Sequence, residues 1–399
     1  MVAPAAMAAS AIFSTSRVVE SAVPRGACWQ DDTVTRNRPA GGTGARTLRD
    51  IAHWRLRSQL LEAPMADAES VVRTMLAVQA ENPAQSAWAV ATRTASPDRD
   101  DLAQSLAAGR IVRTHVLRPT WHYVHADDAR WLIELTAPRV LPVFDQQLRP
   151  VADRMTELAD AIAEAVAGGT GLTRPEIASA LADRGLGLPS QQLTLLLGRL
   201  ELHLLLSSGV PRDGQHTYAL MDERVPASST IDRDEALARL AFRYLGSHGP
   251  ATDRDLAYWA TLTLTDARRG IAAVSEQLEF FEHDERTYWH APASVPAPTP
   301  ARAHLLQILD EMYRGYQDSR WTLDAEGIVP RGRETSTGMV LCDGQLVAGM
   351  RRTVDARRVL FEVAPYRRLT KRELAEIQKA AGRSAAYLGV EAALEVADV

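Results

Sequence analysis

The chain has 399 residues, of which 46% are hydrophobic and 24% are charged, as in an ordinary folded protein with several modest domains. Two cysteines, Cys28 and Cys342, are too few for a disulfide framework or a zinc ribbon, and no stretch approaches the roughly 20 apolar residues of a membrane helix, so we expect a cytoplasmic protein with no contact to membranes. The formal net charge of −5 argues against a protein that coats nucleic acid, although local basic patches can overrule that sum.

The chain begins with a segment that lacks any helical or strand period. Residues 1–46 mix Ala, Ser, Thr, Pro, Gly and Arg, which is typical of a disordered leader, with a transit peptide or an over-long start as alternatives. Helical periodicity then predicts helices at 48–61, 67–80 and 86–92, and a fourth helix that ends at Gly109. Two β-rich runs, IVRTHV and TWHYV, follow. Three helices followed by a hairpin are the order of a winged helix.

The same order recurs twice further along the chain. Helical segments at 171–185 and 189–206 precede a hairpin, and a helical segment at 249–274 precedes the β-rich run LEFFEHDERTYWH. Each repeat opens with a predicted capping box, Thr173 with Glu176 and Thr252 with Asp255. Tandem winged helices explain this pattern better than a solenoid, because the repeat is too long for one.

A Pro- and Ala-rich connector separates this helical part from a different tail. Asp343 and Gly344, between VLC and QLVAGM, predict a tight hairpin, and TKRELAEIQKAAG predicts a closing helix. The predicted fold class is therefore α+β and mainly helical, with tandem winged-helix units and a small C-terminal β-barrel. The predicted intervals are a leader (1–46), three winged helices (47–140, 141–230 and 231–295) and the barrel (296–399).

Basic residues cluster in the first predicted wing and in the tail. Arg113 and Arg118 belong to the wing, and Arg351 and Arg352 open a basic stretch in which Asp355 and Glu362 are the only acids before residue 372. Such a local excess is what a phosphate track needs. The alternative is that these arginines are solvated and paired with neighbouring acids.

Several ordered motifs make the chain from about residue 47 onward resemble the AlkZ/YcaQ-type winged-helix DNA glycosylases. The motifs are VVRTMLAVQAENPAQSAWAV, GRIVRTHVLRPTWHYVHADDARWLIELTAPRV, HLLQILDEMYRGYQD and LCDGQLVAGMRRT. The resemblance implies a monomer of tandem winged helices around a small barrel that acts on alkylated or crosslinked purine nucleotides in double-stranded DNA. Many relatives are known only as winged-helix DNA-binding proteins, so a non-catalytic DNA-binding protein or regulator is the alternative.

The catalytic signature of that family is a glutamine, one intervening residue and a second glutamine or an aspartate, which matches Gln79, Ala80 and Glu81 here. This chain departs from the signature because it has glutamate, Glu81, at the third position and the small Ala80 at the middle position. Hydrolysis of an N-glycosidic bond develops positive charge on the sugar, so Glu81 is the candidate base, and Gln79 with Asn82 would hold the water. The alternative is that the three polar side chains only cap helices ahead of Pro83.

Other candidates complete the predicted site. Trp121 and Tyr123 could stack on an extruded base, with packing of the wing on its helix as the alternative. His122 could contact phosphate or belong to the core, whereas a metal site is not expected because no cysteine lies nearby. Asp310 and Glu311 match a tail motif of the family and are interpreted as structural. Lysine occurs only at Lys371 and Lys379, so we expect no Schiff-base lyase activity, unless a tail lysine or the N-terminal amine reaches the site. No cofactor is expected.

Overall fold

The computed structural model describes residues 46–169, 171–228, 230–292, 302–332 and 337–398. These residues form an α+β fold that is about half helical. The predicted leader, apart from Arg46, lies outside this part of the chain. Within the described ranges, no helix combines the length and the apolar composition that crossing a bilayer requires.

The first helix–sheet unit opens with four capped helices and contains an antiparallel sheet in the order β1–β3–β2. Thr47, Asp67, Asn82 and Asp98 each accept a backbone hydrogen bond at the start of a helix, which satisfies N–H groups that lack a helical partner. The elements are α1 (Leu48–Ser58), α2 (Ala68–Met75), β1 (Ala77–Gln79), α3 (Pro83–Ala91), α4 (Arg99–Ala107), β2 (Ile111–Val116) and β3 (Arg118–His125).

The second unit follows a long helix and repeats this arrangement with the sheet order β4–β6–β5. Thr173 and Glu176 form the predicted capping box, which is thus confirmed. The predicted interval boundary between residues 140 and 141 falls inside α5. The elements are α5 (Ala126–Gln147), α6 (Met155–Val166), β4 (Leu172–Thr173), α7 (Arg174–Asp183), α8 (Ser190–Leu202), β5 (Leu206–Ser208), β6 (Thr217–Leu220) and α9 (Met221–Arg224).

The third unit has the same order in a reduced form, because its first strand is a single bridge between Ala251 and Trp289. The predicted capping box of Thr252 and Asp255 is confirmed. In all three units a helix, a short strand, two helices and a hairpin follow one another, and the short strand pairs with the last hairpin strand. The elements are α10 (Arg233–His248), α11 (Asp253–Trp259), α12 (Leu264–Ala273), β7 (Glu279–His283) and β8 (Arg286–His290).

The tail forms a curled five-stranded sheet in the order β13–β12–β11–β10–β9. Asp343 and Gly344 have φ angles of 51° and 70° at the β10–β11 turn, so the predicted hairpin is confirmed. The elements are β9 (Ala303–Leu306), α13 (Glu311–Arg314), β10 (Gly338–Cys342), β11 (Gln345–Val354), β12 (Arg358–Pro365), α14 (Lys371–Leu388) and β13 (Glu391–Val396).

The predicted small barrel is corrected to a half-barrel. β9 and β13 lie at opposite edges of the sheet, and no strand of the described residues joins them. The closing helix α14 packs against both edge strands and covers the concave apolar side with Ile377, Ala381 and Ala385. A helix therefore occupies the place where further strand pairing would close the barrel.

A buried ion pair joins the first unit to the tail. The Arg93 guanidinium, after α3, donates two hydrogen bonds of 2.7 and 2.9 Å to the Asp310 carboxylate, and both side chains are excluded from solvent. Arg93 also donates to the main-chain oxygens of Gln59 and Ala89. The carboxylate raises the pKa of Arg93 against the opposing effect of burial, so the guanidinium remains charged.

Removal of the acid from this pair should destabilise the protein strongly. Asp310→Asn leaves a buried guanidinium without its counter-charge, so we expect a loss of about 3–5 kcal/mol in the free energy of unfolding, measured by urea denaturation. Glu164→Gln, in the exposed pair with Arg184, is the control and should cost about 0–1 kcal/mol. Equal urea midpoints for the two variants would contradict a stabilising role for the Arg93–Asp310 ion pair.

Candidate functional site

The motif residues lie on a strand and its exit, and this corrects the predicted helix at 67–80. α2 ends at Met75, because Leu76 has a φ angle of 66°, which a helix cannot continue. Residues 77–79 then pair with β3, with Gln79 opposite His122. The Ala80 N–H donates to the Trp121 oxygen at 2.7 Å and extends the pairing by one residue. The motif is therefore held by sheet hydrogen bonds.

Gln79 is a buried amide with fixed partners on both its main chain and its side chain. Its N–H donates to Glu311 Oε1 at 3.0 Å, and its side-chain Oε1 accepts from the Arg118 guanidinium at 3.3 Å. Because Arg118 is a donor only, this contact identifies the side-chain oxygen and directs the Gln79 NH₂ group away from Arg118.

Glu81 is partly exposed, and its carboxylate is attached to the neighbouring strand. Its Oε1 accepts a hydrogen bond from the Trp121 N–H at 2.9 Å. Among the described residues, no Arg, Lys or His side chain forms an ion pair with Glu81, in contrast to Glu69 and Glu311. The group thus combines a fixed position with access to solvent.

Asn82 has the structural role that the capping alternative assigns to it. Its Oδ1 accepts from the Gln85 N–H at 3.3 Å at the N-terminus of α3, with Pro83 in the first turn. The side chains of Gln79 and Glu81 make no such cap, because they bond across to Arg118 and to β3. The capping explanation therefore accounts for one of the three polar residues.

Arg113 supports the motif from inside the protein. Its Nε donates to the Ala80 oxygen at 2.9 Å, and its guanidinium lies 4.5 Å from the centre of the Trp121 ring. The residue is only 7% exposed. The His115 ring lies 4.3 Å from the same indole, so Trp121 is packed between neighbours while remaining partly exposed.

Arg118 and His122 form the floor behind Gln79. Arg118 donates to His122 Nε2 at 3.2 Å, so this nitrogen is an acceptor and Nδ1–H donates to the Thr120 oxygen at 3.0 Å. His122 is fully buried. Burial and the Arg118 cation lower the pKa of His122 to about 3, so the imidazole is neutral at physiological pH.

Glu311 is a buried acid beside Arg118, and it accepts hydrogen bonds from distant parts of the chain. Trp259 Nε1 donates to its Oε2 at 2.9 Å, and Gln79 donates to its Oε1. Burial would raise the pKa of Glu311, but the His248 ring at 3.6 Å and the Arg118 guanidinium at 3.7 Å lower it to about 2. The acid is therefore ionised.

A small cleft joins the motif to the segment after β9. It encloses about 10 Å³, which is enough for about one water molecule. Sequence analysis did not identify Gln307 in this cleft, since the tail motif gave only Asp310 and Glu311 a role and no local pattern relates residue 307 to residue 79. The lining residues are Gln79, Glu81, Asn82, Gln85, Ser86, Ala89, Gln307, Leu309 and Asp310.

The predicted tail arginines lie on β11. Arg351 is exposed. Arg352 is half-buried and donates to the Ala84 oxygen at 3.4 Å, so it lies beside the first turn of α3 and near Asn82.

In the part of the chain that the structure describes, no group of three or more His, Cys, Asp or Glu side chains has the geometry to hold a metal ion.

Comparison with known proteins gives consistent results. The family model described as "DNA glycosylase AlkZ-like" matches residues 72–387. A curated relative, the "Interstrand DNA cross-link repair glycosylase" of Streptomyces sahachiroi, is 27% identical over 228 residues, which are 54% of this chain and 61% of that protein. The solved structure of "Streptomyces sahachiroi DNA glycosylase AlkZ" superposes with a TM-score of 0.71 at 23% identity and covers 89% of this chain and 100% of that one.

Neutral, buried His122 should make stability depend on pH. Because its folded pKa of about 3 lies below the ordinary value of 6.5, the unfolded chain binds the proton first, and stability is full above pH 6.5 and lost as pH falls toward 3. We expect His122→Gln, which cannot titrate, to reduce the slope of unfolding free energy between pH 6 and 5 by about 1.4 kcal/mol per pH unit in urea titrations. A slope equal to that of the parent would contradict the assignment.

Proposed function

Because the chain belongs to the AlkZ-like DNA glycosylase family, we propose that it hydrolyses the N-glycosidic bond of alkylated or crosslinked purine nucleotides in double-stranded DNA. The observation that carries this proposal is the Glu81 carboxylate, which is partly exposed, without an ion pair among the described residues, and tethered through one oxygen at a cleft beside the Gln79 amide. The name of the Streptomyces relative supports crosslinked nucleotides as substrates.

The proposed reaction needs only water as a second reactant. The water oxygen forms a bond to C1′ of the damaged nucleotide while the bond from C1′ to the base nitrogen breaks, and that electron pair leaves with the base. Glu81 accepts the proton that the water loses. A purine alkylated on a ring nitrogen already carries a positive charge, so it departs as a neutral base without further protonation.

Gln79 and Glu81 have different roles in the proposed reaction. The carboxylate of Glu81 stabilises the positive charge that develops on the sugar and activates the water, and the amide of Gln79 fixes the direction of that water. Arg118 holds the Gln79 side chain in place, and Asn82 contributes by starting α3 at the edge of the cleft. Arg113 and His122 act as supports for the motif strand.

We also propose that the three helix–sheet units are winged helices that bind DNA together with the half-barrel. The repeated order of helix, short strand, two helices and hairpin supports this interpretation, and the four intervals 47–140, 141–230, 231–295 and 296–399 would be its domains. Arg352 would contact a phosphate beside the cleft, Arg351 would contact a phosphate elsewhere along β11, and Trp121 would contact the displaced nucleotide.

Water is the proposed nucleophile because amines are scarce. Both lysines of the chain lie in α14, and Lys379 pairs with Glu376 at 2.7 Å. A lyase would need an amine at the sugar to form a Schiff base. The proposed enzyme is therefore monofunctional and leaves the DNA strand intact after the base departs.

The catalytic role of Glu81 predicts a large loss of activity on removal of its side chain. With duplex that carries N7-methylguanine, followed by alkali cleavage of the abasic product, we expect the parent to release the base and Glu81→Ala to be about 100-fold slower or worse, because the general base is lost. Glu164→Ala, which removes a surface acid, should match the parent. Equal rates for the parent and Glu81→Ala would remove Glu81 from the mechanism, and no release by the parent from any N-alkylpurine would oppose the enzymatic proposal.

The phosphate contact of Arg351 predicts a change in salt dependence. Removal of one phosphate contact should lower the slope of log affinity against log salt concentration by about one. We expect this change for Arg351→Gln in fluorescence-anisotropy titrations with duplex DNA. Lys379→Gln, which removes a charge from α14, is the matched control and should keep the parental slope, whereas identical slopes for both variants would contradict the contact.

A further inference from the structure

Gln307 is a buried amide whose NH₂ group has no partner. The residue follows β9, is only 5% exposed, and among the described residues nothing accepts a hydrogen bond from its Nε2. The Gln307 oxygen of the main chain accepts from the Asp310 N–H at 3.2 Å, which turns the chain toward α13. An NH₂ group in such a position loses its hydrogen bonds to water on folding and regains none within the protein.

The unpaired group belongs to the same small cleft as the motif. Gln307 lines it together with Gln79, Glu81 and Asn82, and the enclosed space fits about one water molecule. Buried polar groups without a protein partner are exceptions that call for a ligand or an ordered water. The position of this exception, at the candidate site, indicates a bound partner for Nε2.

The attacking water is a candidate partner for Gln307 Nε2, and its hydrogen-bonding capacity shows which groups must surround it. A water has two protons and two lone pairs, and one lone pair must remain directed at C1′. The Glu81 carboxylate accepts a hydrogen bond from one of the two water protons. The oxygen of Gln79, which already accepts from Arg118, has a second lone pair for the other proton. The remaining lone pair of the water needs a donor. Gln79 and Gln307 both line the cleft with an NH₂ group, and Gln307 Nε2 is the one that is buried without a partner.

We propose that Gln307 is a positioning residue that donates a hydrogen bond from Nε2 to the attacking water held by Gln79 and Glu81. This inference rests on the proposed glycosylase function and adds a third side chain to it, from the tail rather than from the first unit. The water is thereby held between two parts of the chain that are more than two hundred residues apart, and the Arg93–Asp310 ion pair keeps these parts together.

Two leucine variants separate this role from a structural one. Gln307→Leu removes an unpaired donor, so we expect its urea midpoint to equal or exceed that of the parent. Gln345→Leu is the matched control, because Gln345 is equally buried but fully bonded to Ala325, Thr322 and Gly344. Its midpoint should fall.

The decisive measurement is single-turnover base release from N7-methylguanine duplex at saturating enzyme, with the affinity for the same duplex measured in parallel. We expect Gln307→Leu to be about 10- to 100-fold slower with unchanged affinity, and its rate to have the same pH dependence as that of the parent, because Glu81 remains. Gln345→Leu should keep the parental rate at a temperature where it is folded.

The outcomes distinguish the inference from the function on which it rests. Unchanged release by Gln307→Leu, or a loss that comes entirely from weaker DNA binding, would overturn the role of Gln307 while leaving the glycosylase proposal intact. A lower urea midpoint for Gln307→Leu, similar to that of Gln345→Leu, would show a structural amide and overturn it too. Absence of release by the parent from every N-alkylpurine duplex would overturn the function and, with it, the inference.

Discussion

The carboxylate of Glu311 is the interaction on which the site depends, because it connects three parts of the chain inside the protein. It accepts the Gln79 N–H from the first unit and the Trp259 indole N–H from the third, and it lies 3.7 Å from the Arg118 guanidinium. A charge in the interior is tolerated only when hydrogen bonds and an opposite charge surround it. The strand β1, the helix α11 and the start of α13 are therefore held in one relative arrangement.

Two acids with different surroundings follow from this arrangement. Glu311 is sealed, paired and ionised, so it serves as a fixed negative charge behind Gln79, whereas Glu81 is partly exposed. Arg118 lies between Glu311 and the Gln79 side chain and orients that amide. The neutral state of His122 completes the floor, because a second cation beside Arg118 would be repelled.

Elements whose structure is decided by local chemistry were predicted correctly from the sequence, and the exceptions have long-range causes. Capping boxes and the Asp343–Gly344 turn depend on residues a few positions apart, and both were correct. The strand β1 was missed because Ala77–Gln79 continues the helical period of α2, and only its pairing with β3, more than forty residues later, makes it extended. The parallel pairing of β13 with β12 and the burial of Arg113 likewise depend on contacts that no short pattern contains. The site roles of Gln79 and Glu81 remain predictions.

The tether of Glu81 explains how a glutamate, which has the length of the family's glutamine, can hold a carboxylate at this motif position in place of the shorter aspartate. A glutamate side chain has one more rotatable bond than an aspartate, and this freedom would normally spread its carboxylate over several positions. The Trp121 N–H holds Oε1 at 2.9 Å, and this donor belongs to β3, whose pairing with β1 also fixes the backbone of Gln79. The extra methylene is thus accommodated by a contact on the same sheet that carries the motif. One oxygen anchors the group, and in the proposed reaction the other would take a proton from water.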